Sequence, residues 1–589
     1  MRFRQAILIA DGQTYQLTPG KSNSFDSFFA DFQSNPVVGE HIREEATQYS
    51  VFLHPKQDLV LQRLEIQFDV SAAAGARFLA NGYQSWSESR FLSPESSIPR
   101  LLGWFPRRTG VYGDDGLPDI PRGAGHLHSW TYTVLQENTP SVTFLGSLNE
   151  STGFTLFLYD RASGVLTVRK DLAGLHLAHS FPALDFVVLK SDEKNAYDAY
   201  FQLLGIQSSV APPITGWSSG PAHAQALPES FLLKNLDSYA AFQAVISHPE
   251  YGRETGTPEK TEVYFMIDDG WQTATGDWLS VKPGFPRGLA PVSTAIREKQ
   301  MAPGIWLAPF VASEQSELAQ KHPDWLLKGP GNKPLKVGWK REWGGWFHAL
   351  DFYNPAVQAH LAGVFHMIYE KWGFRLLKLD YLFAVCQAPP PGKTRGQVMY
   401  EAMQFLRQLA GRNRLWAGGV PLGAAFGQVD DCRVGGEVNH CWESVLPALL
   451  RYRERSGALA SLRSVLHRWP LNGRAFGNDP GLFTLTKNKH GLNAMQQQTV
   501  LVINVLLGKS LLTSDDVSAW SAEQIAEYSE ALALRDSQVE SVSEVQNDLY
   551  LIRFQHHGEQ YAAWCNLNRT SQQIPQMELR PFETIILSV

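Results

Sequence analysis

A chain of 589 residues is longer than one hydrophobic core usually organises, so two or three domains are expected. Apolar residues make up 44% and charged residues 19%, as in ordinary globular proteins, and a net charge of -6 without a block of either sign argues against nucleic acid or an anionic membrane as partner. Four cysteines, Cys386, Cys432, Cys441 and Cys565, form no zinc or redox spacing, which leads to the expectation of a reduced, cytoplasmic setting. No apolar run approaches the length of a membrane span. The unusual quantity is 17 tryptophans within 12% aromatic residues, a surplus that suits stacking on flat apolar ligand faces, sugars among them.

Residues 1–210 run in short β-branched and aromatic segments, such as Ser50–Leu53, Asp58–Leu61, Arg63–Phe68, Thr131–Leu135, Phe154–Leu158 and Val165–Val168. Gly, Asn, Asp and Pro punctuate them closely, predicting an antiparallel β-sandwich. Asn81-Gly82-Tyr83-Gln84-Ser85-Trp86-Ser87 is too polar for a sandwich core and reads either as a hairpin tip or as a loop offered to a neighbouring site.

Beyond Ala211-Pro212-Pro213-Ile214, apolar strands alternate with segments of helical period. Strands are predicted at Ile214–Ser218, Glu262–Ile267, Ala302–Leu307, Leu376–Leu382, Leu415–Gly418, Asp431–Gly435, Ala475–Asn478 and Ser510–Thr513. Helices are predicted at Pro228–Ile246, Leu289–Lys299, Pro355–Lys371, Thr394–Ala410, Val445–Ser456 and Asn493–Leu507, which makes residues 211–516 a (β/α)8 barrel. Residues 517–589 read as a helix, Ser521–Leu534, followed by a small antiparallel β domain with strands at Asn547–Phe554, Gln560–Asn566 and Phe582–Val589.

Catalytic groups of such a barrel lie at the carboxyl ends of its strands. There the chain places Asp268-Asp269, Trp306, Lys378 with Asp380, Asp430-Asp431-Cys432-Arg433, Glu437, Asn478-Asp479-Pro480 and Asp515-Asp516. Lys378 and Asp380, two apart on an apolar run, share one face and form either a structural ion pair or a nucleophile beside its ammonium. Singly, each of these residues has a bland explanation as turn, cap or core. Together, several carboxylates with one Lys, one Arg and aromatics match the needs of glycoside hydrolysis.

In order, Asp268-Asp269-Gly270-Trp271-Gln272, Gly276-Asp277-Trp278, Pro303-Gly304-Ile305-Trp306, His322-Pro323-Asp324-Trp325, Leu350-Asp351, Leu377–Ala384 and Asn478-Asp479-Pro480 resemble the α-galactosidases of glycoside hydrolase family 36. The resemblance implies a β-supersandwich, a catalytic barrel and a C-terminal β domain, and a retaining exo-α-galactosidase that needs no cofactor or metal and takes a small α-galactoside as its partner. Homo-oligomers are common in that family. It makes Asp380 the nucleophile, Asp268, Asp269, Lys378, Trp306 and Arg433 glycone contacts, and Trp86 a residue that closes the pocket from the sandwich. The family's Arg-Ile-Gly-Pro-Asp appears here as Arg433-Val434-Gly435-Gly436-Glu437, putting the acid/base on Glu437, with Asp430 and Asp431 in reserve. At the first strand, Gly216–His223 lacks the family's later aromatics. Related α-glycosides, such as N-acetylgalactosaminides or arabinopyranosides, transglycosylation and non-catalytic sugar binding are the alternatives.

Overall fold

In the computed structural model the described residues are all of 1–589 except 38–44, 71–74, 99–112, 115–118, 138–140, 208–210, 221–226, 247–260, 439–440, 446–448, 450–451 and 487–490. The N-terminal part is a sandwich of a six-stranded and an eight-stranded antiparallel sheet. Inner positions such as Leu64, Ile66, Phe68, Leu184 and Phe186 fill the space between the sheets. The two strands expected at Asp58–Leu61 and Arg63–Phe68 are a single one, Leu59–Asp69. Its pairing with Arg2–Ala10 shifts register between Arg63 and Leu61, so a bulge reverses the inward phase from Leu59 and Leu61 to Leu64, Ile66 and Phe68.

Eight parallel strands build the central barrel: β1 (Ile214–Ser218), β2 (Glu262–Ile267), β3 (Ala302–Leu307), β4 (Leu376–Leu379), β5 (Arg414–Ala417), β6 (Asp431–Arg433), β7 (Gly477–Asp479) and β8 (Ser510–Thr513). From β1 to β7 each pairs with the next, and β8 pairs with β1. The β7–β8 seam has no ladder and is held by Lys509 N donating to Asn478 O (2.8 Å) and Phe483 N to Leu512 O (3.1 Å). Ile214, Tyr264, Met266, Leu376, Trp416 and Leu512 pack the barrel interior.

The helices Glu229–Ile246, Ala290–Glu298, Arg395–Ala410 and Ala494–Leu507 lie where the sequence period puts them. Arg395–Ala410 and Ala494–Leu507 each begin at a full capping box, on Thr394/Gln397 and Asn493/Gln496. Pro355–Lys371 is helical throughout but turns from α to π at Met367. Of the expected helix Val445–Ser456, residues 446–448 and 450–451 lie outside the described residues, and its last part, 452–456, is not helical. The described helix between β6 and β7 is Ala458–His467, every residue of which is buried.

Between β3 and β4 the chain inserts a three-stranded antiparallel sheet, Val311–Ser313, Lys336–Lys340 and Gly345–Ala349. After the helix Ala522–Ala533 comes a four-stranded antiparallel sheet. Its first strand, Gln538–Gln546, has no buried residue, which is why the sequence carries no strand signal there.

Candidate active site

Strand direction sorts the charged residues between the two ends of the barrel. β4 ends on Leu377-Lys378-Leu379, and Asp380 follows with its backbone N–H donating to Leu307 O at the end of β3. Lys378 does not pair with Asp380. Its Nζ reaches across the barrel mouth to Asp268 Oδ2, 2.9 Å away, just beyond β2. Burial opposes both charges, yet the pair holds Asp268 below the ordinary carboxylate range and Lys378 above the ordinary ammonium range. Ser218 Oγ donates to Asp268 Oδ2 (3.4 Å), and Asp268 N donates to Ser219 Oγ (2.8 Å), so the end of β1 serves this carboxylate. Pro221–His223 of the altered first-strand stretch lie outside the described residues.

Asp380 accepts a 2.7 Å hydrogen bond on Oδ2 from Trp306 Nε1, at the end of β3. Burial pushes its carboxyl up; Lys378 and the Trp306 N–H pull it back, and Asp268 and Glu437 add to the rise. The ammonium expected to keep Asp380 charged is thus shared with, and mainly committed to, Asp268. The residue after Asp380, Tyr381, has φ +57, a conformation a tyrosine rarely adopts. Its ring is fixed by Trp86 (centroids 5.0 Å), Trp343 (4.9 Å) and Phe347 (5.5 Å).

Asp269 accepts from Gln272 Nε2 (2.7 Å), Lys340 Nζ (3.1 Å) and Trp343 Nε1 (2.7 Å). Lys340 and Trp343 come from the inserted sheet and its following turn, and Lys340 also lies 4.4 Å over the Trp343 ring. Sequence reading misses both, because neither stands at a barrel-strand end; the signal that could have found them is the Trp-rich stretch Trp339–Trp346 in a β3–β4 connection far longer than the others.

Trp86 enters from the sandwich. Its loop is neither a hairpin tip nor exposed: Asn81, Gln84, Ser85 and Ser87 are fully buried against the barrel. Ser85 N donates to Val420 O (2.9 Å), Gly419 N donates to Ser85 Oγ (2.9 Å), and the buried guanidinium of Arg468 donates to Asn81 Oδ1 (2.9 Å), Ser85 O (2.7 Å), Gln84 O (3.3 Å) and Val434 O (3.0 Å). Two glycines after β5 make room. A Cβ on Gly418 would fall 1.9 Å from Asp380 Oδ1, and one on Gly419, at φ +60, would press into the Trp86 ring at 2.9–3.1 Å.

Arg433, at the end of β6, is buried and paired with Asp479 Oδ2 at 3.3 Å. Glu437, four residues on, has a side chain 47% exposed with Oε2 3.8 Å from Arg433 Nη2. It acts electrostatically on Lys378, Asp380 and Tyr381, so it faces the same mouth. The reserve acids do not. Asp431 is the first residue of β6, and its fully buried carboxylate accepts 2.6 and 3.1 Å hydrogen bonds from Arg414, the first residue of β5. Asp430 binds Arg407 (2.9 Å) and Leu415 N (2.8 Å). Both lie at the amino-terminal end of the barrel, because a three-residue strand separates its first side chain from its last by the depth of the sheet. Asp515 accepts from Leu485 N, Thr486 N and Trp520 Nε1, and Asp516 caps the turn Val517–Ala519, so both are structural.

One mouth therefore gathers Trp86, Asp268, Asp269, Trp306, Lys378, Asp380, Arg433 and Glu437: two carboxylates tied to ammonium groups, a third held by an indole, and a fourth reaching solvent. Such a set can grip hydroxyls while one carboxylate attacks and another moves a proton.

The family model of Melibiase matches residues 257–409. The α-galactosidase of Escherichia coli is 39% identical over 74 residues, 11% of this chain and 10% of that protein. These local matches span about a tenth of the curated relatives' length. Among solved structures, TtGalA, the α-galactosidase of Thermus thermophilus in complex with p-nitrophenyl α-D-galactopyranoside, superposes with a TM-score of 0.68 at 25% identity, covering 89% of this chain and 98% of its own. The family 36 α-galactosidase AgaB of Geobacillus stearothermophilus has a TM-score of 0.58 at 13% identity over 92% of this chain and 73% of its own, a likeness of fold. No helix among the described residues is long and apolar enough to cross a membrane.

Proposed function

We infer that the chain is a member of glycoside hydrolase family 36 and a retaining, exo-acting α-galactosidase. The observation that carries this reading is the pairing across one mouth of a buried carboxylate, Asp380, whose Oδ2 is held by the Trp306 indole, with a solvent-reaching one, Glu437.

Asp380 attacks the anomeric carbon as the C1–O bond to the leaving group breaks, and Glu437 gives its proton to the departing oxygen. An ester between C1 and the Asp380 carboxylate results. Glu437, now ionised, takes a proton from water as that water attacks C1, and Asp380 leaves as carboxylate with net retention. Asp268, Asp269 and Lys378 are the groups for the sugar's hydroxyls, and Trp86 with Tyr381 walls the opening so that a chain end enters and the middle of a chain does not. A small α-galactoside is the substrate, as p-nitrophenyl galactoside and stachyose are the ligands of TtGalA.

An activated 2-deoxy-2-fluoro-galactoside tests the assignment. A covalent adduct located on the Asp380 peptide, with the α-anomer as first product by NMR, is the expected outcome. An adduct elsewhere, or a β-anomer, would overturn it.

A further inference from the structure

The Asn478-Asp479-Pro480 stretch reads from sequence as a turn or a cap, and the structure gives it a different part. Asp479 is 3% exposed and is anchored by Trp416 Nε1 (3.0 Å), Gly481 N (2.8 Å) and Ser510 Oγ (3.3 Å). Its remaining partner is Arg433. The same guanidinium donates to Gly435 O (3.3 Å) and Gly436 O (3.0 Å), the two residues that lead to Glu437. Gly481, at φ +107, is required beside it, since a Cβ there would stand 2.7 Å from Arg433 Nη2.

An arginine beside a general acid holds that acid ionised, which defeats its purpose, unless another carboxylate takes up the charge. We propose that Asp479 is a positioning residue for the second carboxylate: by neutralising and aiming Arg433 it fixes the Gly435-Gly436 turn and keeps the cation at 3.8 Å from Glu437 rather than in a closed ion pair. This rests on the reading of Glu437 as acid/base. Without Asp479 the carboxylate left in ion-pair contact with Arg433, among the described residues, is Glu437, with Asp380 acting from farther off.

The test compares two galactosides, one with an alkyl alcohol as leaving group and one with dinitrophenol, which departs without a proton. Asp479→Asn is expected to lower kcat on the alkyl galactoside about 100-fold and on the dinitrophenyl galactoside less than about tenfold, the difference being what general acid assistance contributes. Asp479→Glu, which keeps the charge, restores the ratio. The alkaline limb of kcat/KM moves to lower pH in Asp479→Asn, as Arg433 closes on Glu437, which otherwise faces Lys378, Asp380 and Tyr381.

Equal losses on both substrates with an unmoved limb overturn the proposal. Glu437→Gln separates the two failures: if it shows the leaving-group dependence and Asp479→Asn does not, the Asp479 inference alone falls; if it shows none, the reading of Glu437 falls and takes the inference with it. Should Asp479→Asn not fold, Ser510→Ala removes one anchoring donor and is read in the same ratio. A shift of about threefold supports the proposal and an unchanged ratio overturns it.

Discussion

Lys378 Nζ lies 2.9 Å from Asp268 Oδ2, two strands away, and not against Asp380 two residues along its own chain. Each is therefore the other's counter-ion inside the mouth. Lys378→Met leaves a buried carboxylate without its partner and is expected to cost about 3–5 kcal/mol in chemical denaturation. The pH dependence follows from Asp268, whose folded pKa is depressed. Its contribution is present above the unfolded carboxylate pKa and is lost as pH falls through the folded one. The stability gap between wild type and Asp268→Asn should accordingly narrow below about pH 4.

Gly418 and Gly419 separate two effects that otherwise travel together. A methyl at Gly418 displaces the Asp380 carboxylate, so Gly418→Ala is expected to lower kcat about 1,000-fold or more, since a misplacement of about 1 Å at a reacting group already costs about 100-fold. At Gly419 the methyl meets the Trp86 ring instead. Gly419→Ala should raise KM and leave fluorosugar trapping on Asp380 intact. Steady-state kinetics on one aryl galactoside, with the trapping assay, distinguishes the pair.

Arg468→Met strips a donor from Asn81 Oδ1, Ser85 O and Val434 O, and one of two from Gln84 O, which keeps Ser87 N–H. Each buried acceptor left unpaired costs about 1–3 kcal/mol. The expected outcome is a loss of several kcal/mol in the denaturation midpoint, with a rise in KM in whatever folds, because the loop it releases carries Trp86.

His467, on the helix Ala458–His467 where barrel, sandwich and C-terminal domain meet, is buried, and burial holds its imidazole down to about 4. Between about pH 6.5 and that value the unfolded chain takes up a proton that the folded one refuses, so stability falls as the solution is acidified through this window. His467→Gln should flatten that slope in thermal denaturation between pH 6.5 and pH 4, whereas Glu88, held at about 2 by Arg455, Arg463 and Arg90 against its own burial, contributes a further loss only below the usual carboxylate range.

The sequence marks Lys378 and Asp380 as two charges on one face of an apolar strand, but it leaves open what they do and does not show that Lys378 pairs with Asp268. The barrel strands were legible because buried parallel strands are mostly short apolar runs, and all eight occur where expected, within three residues at their ends, although Asp431–Arg433 and Gly477–Asp479 are not apolar. What the sequence does not carry is the direction from which a residue meets the site. Asp431 and Arg433 are two apart, yet the first pairs with Arg414 at one end of the barrel and the second with Asp479 at the other. Lys340, Trp343 and Arg468 reach the mouth or its wall from an inserted sheet and from beyond a helix, so no strand-end rule finds them. Their contribution is set by tertiary contact alone.

The joint around Arg468 has a consequence for how the mouth can behave. Three carbonyls and an amide oxygen accept from that guanidinium, burial holds it down to about 10, and none of these partners is an acid that could be titrated away. Drawing the sandwich off the barrel would break the hydrogen bonds of that cation to Asn81, Gln84 and Ser85 together. Trp86 is thus tied to the barrel through a cation whose hold on the Asn81–Ser85 loop does not depend on the protonation of a carboxylate.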